Sequence, residues 1–513
     1  MVPLPMSRES GLEDYFSSYR MNVIGNQQHF ESPFGIRRII YADWTASGRS
    51  YGPIEHYIQR EILPFVGNTH TATTVTGSSM SKAYEEAKHI IKEHVNANAD
   101  DVLLFCGSGM TAAVNKLQRI VGMRVPEHIR THALPCDDAL KPVVFVTHME
   151  HHSNHISWLE TIATVEIIQM GEDGNVDMAH FRSLLEQFKD RKHKIAAVTA
   201  CSNVTGIRTD YHEIAKLIHA YGGLCFVDFA CSAAYCEIDM HPDESGAHLD
   251  AIYFSSHKFL GGPGTPGVLI FNRHLYNNTV PDQPGGGTVK YTNPWGAREY
   301  VEDIEQREDS GTPPFLQGIK AAMCIRLKEA MGVGRMLKRE EELLSVIFCR
   351  LSEMKRVKVL QADVTKRLGV ISFMVTGAHY NLVVRLLNDR FGIQMRGGCS
   401  CAGTYGHMLL HVDKVQSYAI RDSIRGGDLS CKPGWVRLSI HPVMTNAEIN
   451  FILDAIEITV ANIHEWEKDY YYDRCSNEYF FKGEAGREHR RTSEWFDVRR
   501  WPEITGSGRE VWK

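Results

Sequence analysis

The sequence predicts an α/β protein: a large domain with a mostly parallel central sheet flanked by helices, then a smaller α/β domain. Three observations carry this. Short apolar runs rich in β-formers alternate with segments whose apolar positions recur at helical spacing. Glycine-rich or polar turns separate them. A second set of the same kind follows a long charged helical stretch. The expected division is an arm over residues 1–40, a large domain over 41–334, a small domain over 335–470 and a charged, aromatic tail over 471–513.

The arm shows no convincing helix or strand and leads into YADWTASGRS. From Ser79 to Val95, Met80, Ala83, Tyr84, Ala87, Ile90 and Ile91 fall at helical spacing with charges between them, which predicts an amphipathic helix. Next come the strand DVLLFC, the turn GSGM, the helical TAAVNKLQRIVG, the strand PVVFVTH and, later, IAAVTACS. Asp210 and Glu213 have the spacing of a capping box, and Gly222-Gly223 would end the helix they open. Two buried strands follow, LCFVDF and AIYFSS. The stretch from Ala321 to Met354 reads as the helical link to the small domain. There LGVISFMVTG and WVRLSIHP read as strands, and Thr445 with Glu448 opens a helix carrying Ile449, Ile452, Ile456, Ile463 and Trp466. The tail has no clear period.

Composition narrows the function classes. The 513 residues are 43% hydrophobic and 23% charged, ordinary for a globular enzyme. A formal net charge of -6 provides no basic field for nucleic acid or an anionic membrane surface, so neither is an expected partner. No apolar run approaches the ~20 residues that span a bilayer, and the start lacks a signal-like apolar core, so a cytoplasmic location is expected. Twelve cysteines are scattered, several inside strand-like runs, and are expected to be reduced.

Asp228 closes the LCFVDF run, and Lys258 follows AIYFSS in SSHKFLGGPGTPG. Both thus stand at the carboxyl ends of strands, where open α/β sheets bind ligands. A desolvated lysine forms Schiff bases, and pyridoxal phosphate needs such a lysine together with a carboxylate for its ring nitrogen. The bland alternative is a turn-capping aspartate and a surface lysine. GSGM at 107–110 stands between a strand and a helix, so its backbone N–H groups suit a phosphate, with Ser255, Ser256 and His257 as further donors; a plain tight turn reads equally well. In HMEHHSNH, His148, His152 and His155 could line one helix face as metal ligands, although no metal is expected, and one imidazole could stack on a planar ring. MRGGCSCAGTYGH sets Cys399 and Cys401 after a double glycine and beside Arg396, conditions that favour a reactive thiolate. Inert turn cysteines or a metal site with His407 and His411 are the competing readings. Arg437, mid-strand, calls for an anion: a substrate carboxylate or an internal partner.

In order along residues 40–460, the segments YADWTASG, CGSGMTAAVN, THMEHHSN, CSNVTGI, FVDFACS, SSHKFLGGPGTPGVL, DSGTPP, RGGCSCAG and VRLSIHPVMTNAEI resemble the blocks of the class V aminotransferase family, especially its cysteine desulfurase and selenocysteine lyase branch. The resemblance implies the PLP-dependent transferase fold (fold type I) and pyridoxal 5'-phosphate as cofactor. It makes Lys258 the Schiff-base lysine and proton-transfer base, Asp228 the partner of the ring nitrogen, and His151 the histidine stacked on the ring. Gly109, Met110, Thr111, Ser255 and His257 become the phosphate cradle. Thr312 would reach the phosphate of a neighbouring subunit, implying a homodimer with shared active sites. Asn203, Arg396 and Arg437 would position the substrate. Cys401 would be the nucleophile that takes sulfur from L-cysteine, leaving L-alanine and an enzyme persulfide for an acceptor protein. The alternative is an aminotransferase or lyase acting on another small amino acid. Three features depart from the pattern: Cys231 stands where the family usually has a glutamine, Cys399 offers a second thiol, and the connection from Cys401 to Arg437 is long.

Overall fold

The computed structural model describes residues 11–69, 71–129, 140–483 and 492–500. Its centre is a seven-stranded sheet, numbered here β1 (Asp101–Cys106), β2 (Val143–Thr147), β3 (Thr164–Ile168), β4 (Lys194–Thr199), β5 (Leu224–Asp228), β6 (Ala251–Ser255) and β7 (Gly267–Asn272), in the spatial order β1-β7-β6-β5-β4-β2-β3. The strands from β6 across to β3 run parallel, and β7 is antiparallel to both β6 and β1.

Alternation within the strands explains the layering. Leu103, Phe105, Val143 and Phe145 belong to one apolar cluster, whereas Val102, Leu104, Val144 and Val146 belong to the other. Helices must therefore cover both faces, which is why these strands read as unbroken apolar runs. The helix Met110–Ile120 buries Ala113, Val114, Leu117 and Ile120 in the second cluster, while the helix Val75–His94 covers the first with Met80, Tyr84, Ala87 and Ile91.

A second, four-stranded sheet comprises β8 (Val357–Val359), β9 (Val370–Val375), β10 (Arg396–Gly398) and β11 (Trp435–Ser439), ordered β8-β9-β11-β10 and wholly antiparallel. The helix Tyr380–Phe391 packs on this sheet, and against that helix packs the helix Asn446–Trp466. Its capping box forms as the sequence predicts, with Thr445 accepting from Glu448 N and the Glu448 side chain reaching back to the Thr445 backbone.

Several expectations need correction. The helix predicted from Ser79 starts at Val75, because Thr74 caps it through Gly77 N. The Asp210–Glu213 box does not form: Asp210 makes no cap hydrogen bond, and Glu213 pairs with Lys216 instead. The single helical link is two helices, Phe315–Met331 and Val333–Glu353, broken at Gly332 with φ +77°.

The arm is ordered over its described part. It contains the helix Leu12–Met21 and a hairpin, His29–Ser32 with Gly35–Arg38. Tertiary contacts hold it: Tyr15 OH donates to Ala330 O at 3.1 Å, and Arg20 and Arg38 both pair with Glu448. The tail begins with another hairpin, Tyr470–Asp473 with Glu478–Phe481, anchored by Tyr470 OH on Asp389 at 2.9 Å. The strand Ile40–Tyr41 pairs in parallel with Ile393–Gln394, and Ser439 N donates to Ala42 O at 2.8 Å. This threads YADWTASG between the two sheets and carries Asp43 and Thr45 to the carboxyl ends of the central strands.

Candidate active site

A cavity of about 260 Å³ opens at those carboxyl ends. It is lined by Met110, Thr111, His151, Asn203, Asp228, Ser255, His257, Lys258, Arg396, Cys401 and Arg437, with Thr45, Cys201, Cys231 and Ser400 among the remaining residues. Most of the site residues read from the sequence thus converge on one space.

β5 and β6 deliver the central pair. Asp228 is buried, one carboxylate oxygen accepting from Ala230 N at 2.8 Å, and burial pushes its pKa up to about 6 against the opposing pull of Lys258. Lys258 ends a short 3-10 turn, Ser256–Lys258, after β6. Desolvation lowers its pKa below the usual lysine range, which favours the neutral, nucleophilic amine.

At one end of the cavity, Gly109 precedes the helix Met110–Ile120. Met110 N donates to Ser255 Oγ at 2.9 Å, Thr111 Oγ1 lies 2.7 Å from Ser153 Oγ, and His257 Nδ1 donates to Ser108 O at 2.9 Å. A Cβ on Gly109 would meet Ser255 Oγ at 3.0 Å, and one on Gly267 would meet Gly109 O at 2.3 Å. Glycine at both positions is thus what lets this loop lie against β6 and β7.

His151 caps the helix His152–Leu159, its Nδ1 accepting from Ser153 N at 3.1 Å. Burial, aided by Lys258, lowers its pKa to about 3, so the ring is neutral. The turn that presents it hangs on Glu150, a buried carboxyl group that accepts from Thr147 Oγ1 at 2.6 Å, Thr199 N at 2.8 Å and Asn154 Nδ2 at 2.8 Å. Burial raises the Glu150 pKa to about 7.

Arg437 and Arg396 share one counter-ion. Arg437 pairs with Asp43 Oδ1 at 2.7 Å and Arg396 with Asp43 Oδ2 at 2.9 Å. Two guanidiniums on a single carboxylate leave one net positive charge beside the cavity. Arg437 is buried, donates to Asn203 O at 3.1 Å and keeps an Nε without a partner; Asn203 Oδ1 is also unpartnered. The sequence raised substrate or internal partner as alternatives for Arg437, and the internal one is present without exhausting the charge.

Cys401 is exposed on the cavity wall; Cys399 is half-buried and packs toward the cluster of Met149, Tyr405 and Trp435. The double glycine before the loop is part of a strand: Gly397 and Gly398 lie in β10. Ser400 and Cys401 both occupy the left-handed region, at φ 52° and 56°. His152 N donates to Cys401 O at 2.7 Å, Gly403 N to His152 Nε2 at 2.8 Å, and Asn203 Nδ2 to Ser400 O at 2.7 Å; Thr404 Oγ1 lies 3.0 Å from His155 Nδ1. His152 and His155 therefore clamp the cysteine loop. His148 precedes their helix and packs edge-on against Tyr405, so the three do not share a helix face. The long connection beyond Cys401 holds two helices, Gly403–Leu409 and Lys414–Arg425, and His407 is spent on Gly403 O and Ser417 Oγ.

Thr312 lies outside the cavity. Its hydroxyl donates to Asn68 Oδ1 at 3.3 Å, and it lines a separate cavity of about 570 Å³ with Lys116, Arg119 and Glu308. The residues that sequence reasoning missed are Asp43, Thr45, Glu150 and the clamping roles of His152 and His155. Asp43 alone had a signal, as a carboxylate in the otherwise apolar YADW that could answer Arg437.

The model of the aminotransferase class-V family matches residues 40–452. The chain belongs to that family. Among curated relatives of this class-V chain, a Staphylococcus aureus protein named a probable cysteine desulfurase is 27% identical over 370 residues, covering 71% of this chain and 84% of the relative. A protein of the same name from Staphylococcus epidermidis is 27% identical over 384 residues, covering 74% and 87%. Among solved structures, a cysteine desulfurase from Thermococcus onnurineus superposes with TM-score 0.69 at 23% identity, over 87% of this chain and 98% of the other. One from Escherichia coli does so with TM-score 0.66 at 19% identity, over the same shares. These superpositions establish the fold-type-I architecture.

Class-V enzymes use pyridoxal 5'-phosphate, and the residues present fit it. The glycine-lined helix start with Ser255 and His257 suits the phosphate, the buried Asp228 suits a protonated ring nitrogen, and the desolvated Lys258 suits the aldehyde. Cys231 occupies the wall beside Thr45 Oγ1, at 3.4 Å, and is electrostatically coupled to Lys258. A hydrogen bond from Cys201 lowers its pKa. No helix among the described residues is long and apolar enough to cross a membrane.

Proposed function

We propose that this class-V enzyme is a cysteine desulfurase, taking sulfur from L-cysteine onto Cys401 and releasing L-alanine. The observation that carries the reading is an exposed thiol, Cys401, on the wall of the same cavity as Lys258, Asp228 and Arg437. Bound pyridoxal phosphate would supply the electron sink that stabilises charge at the substrate α-carbon.

The protein's own contributions follow from the geometry. The charge left over by Arg396 and Arg437 on Asp43 would hold the substrate carboxylate, with Asn203 beside it. Lys258, whose amine desolvation makes easier to deprotonate, would take the α-proton. Neutral His151 would lie against the ring, and Gly109, Met110, Thr111, Ser255 and His257 would surround the phosphate. The Cys401 thiolate would attack the substrate sulfur, forming an S–S bond as the carbon–sulfur bond breaks. The persulfide sulfur would then pass to an acceptor, a thiol protein or small thiol. Cys399, turned toward the protein interior, is the less suited thiol. Thr312, placed away from its own cavity, supports a homodimer in which it serves the partner's phosphate. We assign the arm, large domain, small domain and tail to 1–40, 41–334, 335–470 and 471–513.

The test is addition of L-cysteine to the holoenzyme with alanine and sulfide assayed. Stoichiometric alanine with a persulfide mapped to Cys401, both lost in Cys401→Ala, is the expected result. Full turnover in Cys401→Ala would overturn the assignment. Conversion of another amino acid to its keto acid, with L-cysteine inert, would establish an aminotransferase or lyase on the same scaffold.

A further inference from the structure

Three metal-ligating side chains cluster at the end of the central sheet opposite the cavity, and a fourth, His274, stands at their edge beside the carboxylate. His219 lies in the last turn of the helix Tyr211–Ala220, His248 and Asp250 on the approach to β6, and His274 in the turn after β7. The carboxylate is the focus. His219 Nε2 lies 2.9 Å from Asp250 Oδ2, His274 Nε2 lies 3.7 Å from Asp250 Oδ1, and His248 Nε2 lies 3.9 Å from the same oxygen. Potential ligand atoms of His219, His248 and Asp250 all lie within 4.8 Å of one another.

The surroundings orient these groups as metal ligands are oriented. His219 Nδ1 donates to Gly246 O at 2.6 Å, and His274 Nδ1 donates to Asn272 Oδ1 at 2.7 Å, so both imidazoles turn Nε2 toward the carboxylate. Asp250 Oδ2 is itself held by Cys225 N at 2.8 Å. Backbone and amide partners on the distal imidazole nitrogen are the usual supports of a ligating histidine. Ligands at about 2.0–2.2 Å from a tetrahedral ion lie roughly 3.3–3.6 Å apart. The 2.9 Å contact of His219 with Asp250 Oδ2 is a hydrogen bond that the ion would replace, and the 3.7 and 3.9 Å separations of His274 and His248 from Asp250 Oδ1 are slightly wider than that spacing. His248 is stacked on His219 at 4.1 Å and must turn out of the stack, which its 48% side-chain exposure permits.

We propose that His219, His248, His274 and Asp250 bind one transition-metal dication of the zinc class. Three imidazoles and a carboxylate suit zinc, and also nickel or copper, far better than calcium or magnesium. The ion would tie the helix Tyr211–Ala220 to the sheet end where β6 begins and β7 finishes. It would stabilise the fold without entering the chemistry, because the cavity lies at the other end of β6.

The test uses full-length holoenzyme stripped with a chelator, then equilibrated with zinc chloride and read by metal analysis and thermal melting, beside the double variant His248→Gln/His274→Gln. Both replaced side chains are substantially exposed and remote from the cavity, so the variant's zinc-free melting and cofactor spectrum should match the wild type. The expected result is one zinc per chain at micromolar free metal with a raised melting temperature. In the double variant, affinity should fall at least about tenfold and the zinc-dependent shift should disappear. Absence of stoichiometric zinc in the wild type, or an undiminished equivalent in the double variant, would overturn the proposal; the latter would place the ion on the exposed thiols.

Discussion

His152→Ala should slow sulfur transfer by roughly tenfold without unloading the cofactor. His152 does not line the cavity, but its ring accepts from Gly403 N at 2.8 Å, two residues beyond Cys401. Ser400 and Cys401 are consecutive non-glycine residues in the left-handed region, a conformation that costs about 1–2 kcal/mol per residue. The clamp offsets this cost. A hydrogen bond contributes about 1 kcal/mol net, and a donor left without its acceptor in a half-buried setting costs up to roughly 1–3 kcal/mol. Taking about 1.5 kcal/mol for the lost contact gives close to a tenfold fall in the population holding Cys401 as seen here, since about 1.4 kcal/mol is a factor of ten. The assay is single-turnover persulfide formation on Cys401, with the cofactor absorbance spectrum as control. His152→Gln, which retains a side-chain acceptor, should recover part of the rate. Burial lowers the His152 pKa, so the ring is a neutral acceptor at neutral pH. Unchanged persulfide formation in His152→Ala would refute the clamp, as would a loss explained wholly by missing cofactor.

Asp228→Asn should weaken cofactor retention yet stabilise the cofactor-free protein. The Asp228 pKa is raised to about 6 in the fold, so its stabilising contribution is full below the ordinary carboxylate pKa and is lost as pH rises through about 6. Relieving that cost should gain up to roughly 3 kcal/mol above pH 7, measured by denaturant melts of the apo forms; equal stability of the two would contradict the burial argument. Cys231→Ala removes the largest of the three influences that raise the Lys258 pKa, Asp228 and Asp43 being the others, so the pH midpoint of cofactor capture by apo enzyme should move down; an upward move would reverse the assigned coupling. Gly267→Ala puts a methyl 2.3 Å from Gly109 O and should cost about 1–3 kcal/mol while loosening cofactor binding, read by dialysis off-rate. Glu448→Gln weakens the hold of Arg20 and Arg38, and limited proteolysis should then cut the arm faster than in the wild type.

The large domain was legible because its evidence is local. A strand such as DVLLFC, buried on both faces, must be apolar throughout, and a strand-to-helix turn against neighbouring backbone must be glycine-rich. Asp228 and Lys258 were legible for the same reason, as polar residues at the ends of such runs. The arm's helix escaped because only Phe16 is fully buried in it and its anchors, Ala330 and Glu448, are hundreds of residues away. The tail hairpin escaped because its tyrosines pack on both sides of a short ribbon, leaving no alternation to read. The capping box at Asp210 was a false local signal, since Glu213 found a better partner in Lys216.

Residue order alone established the family, the strand ends that carry the lysine and aspartate, and the thiols available near Arg396, because each depends on a few neighbours along the chain. The placing of Cys401 on the cavity wall and of Cys399 off it, the sharing of Asp43 by Arg396 and Arg437, and the clamping of the cysteine loop by His152 and His155 belong to the tertiary structure. Charges and hydrogen bonds pair through space. Asp43 meets Arg437 across 394 positions of sequence, because the segment Ile40–Asp43 lies as a strand alongside Ile393–Gln394 and Ser439.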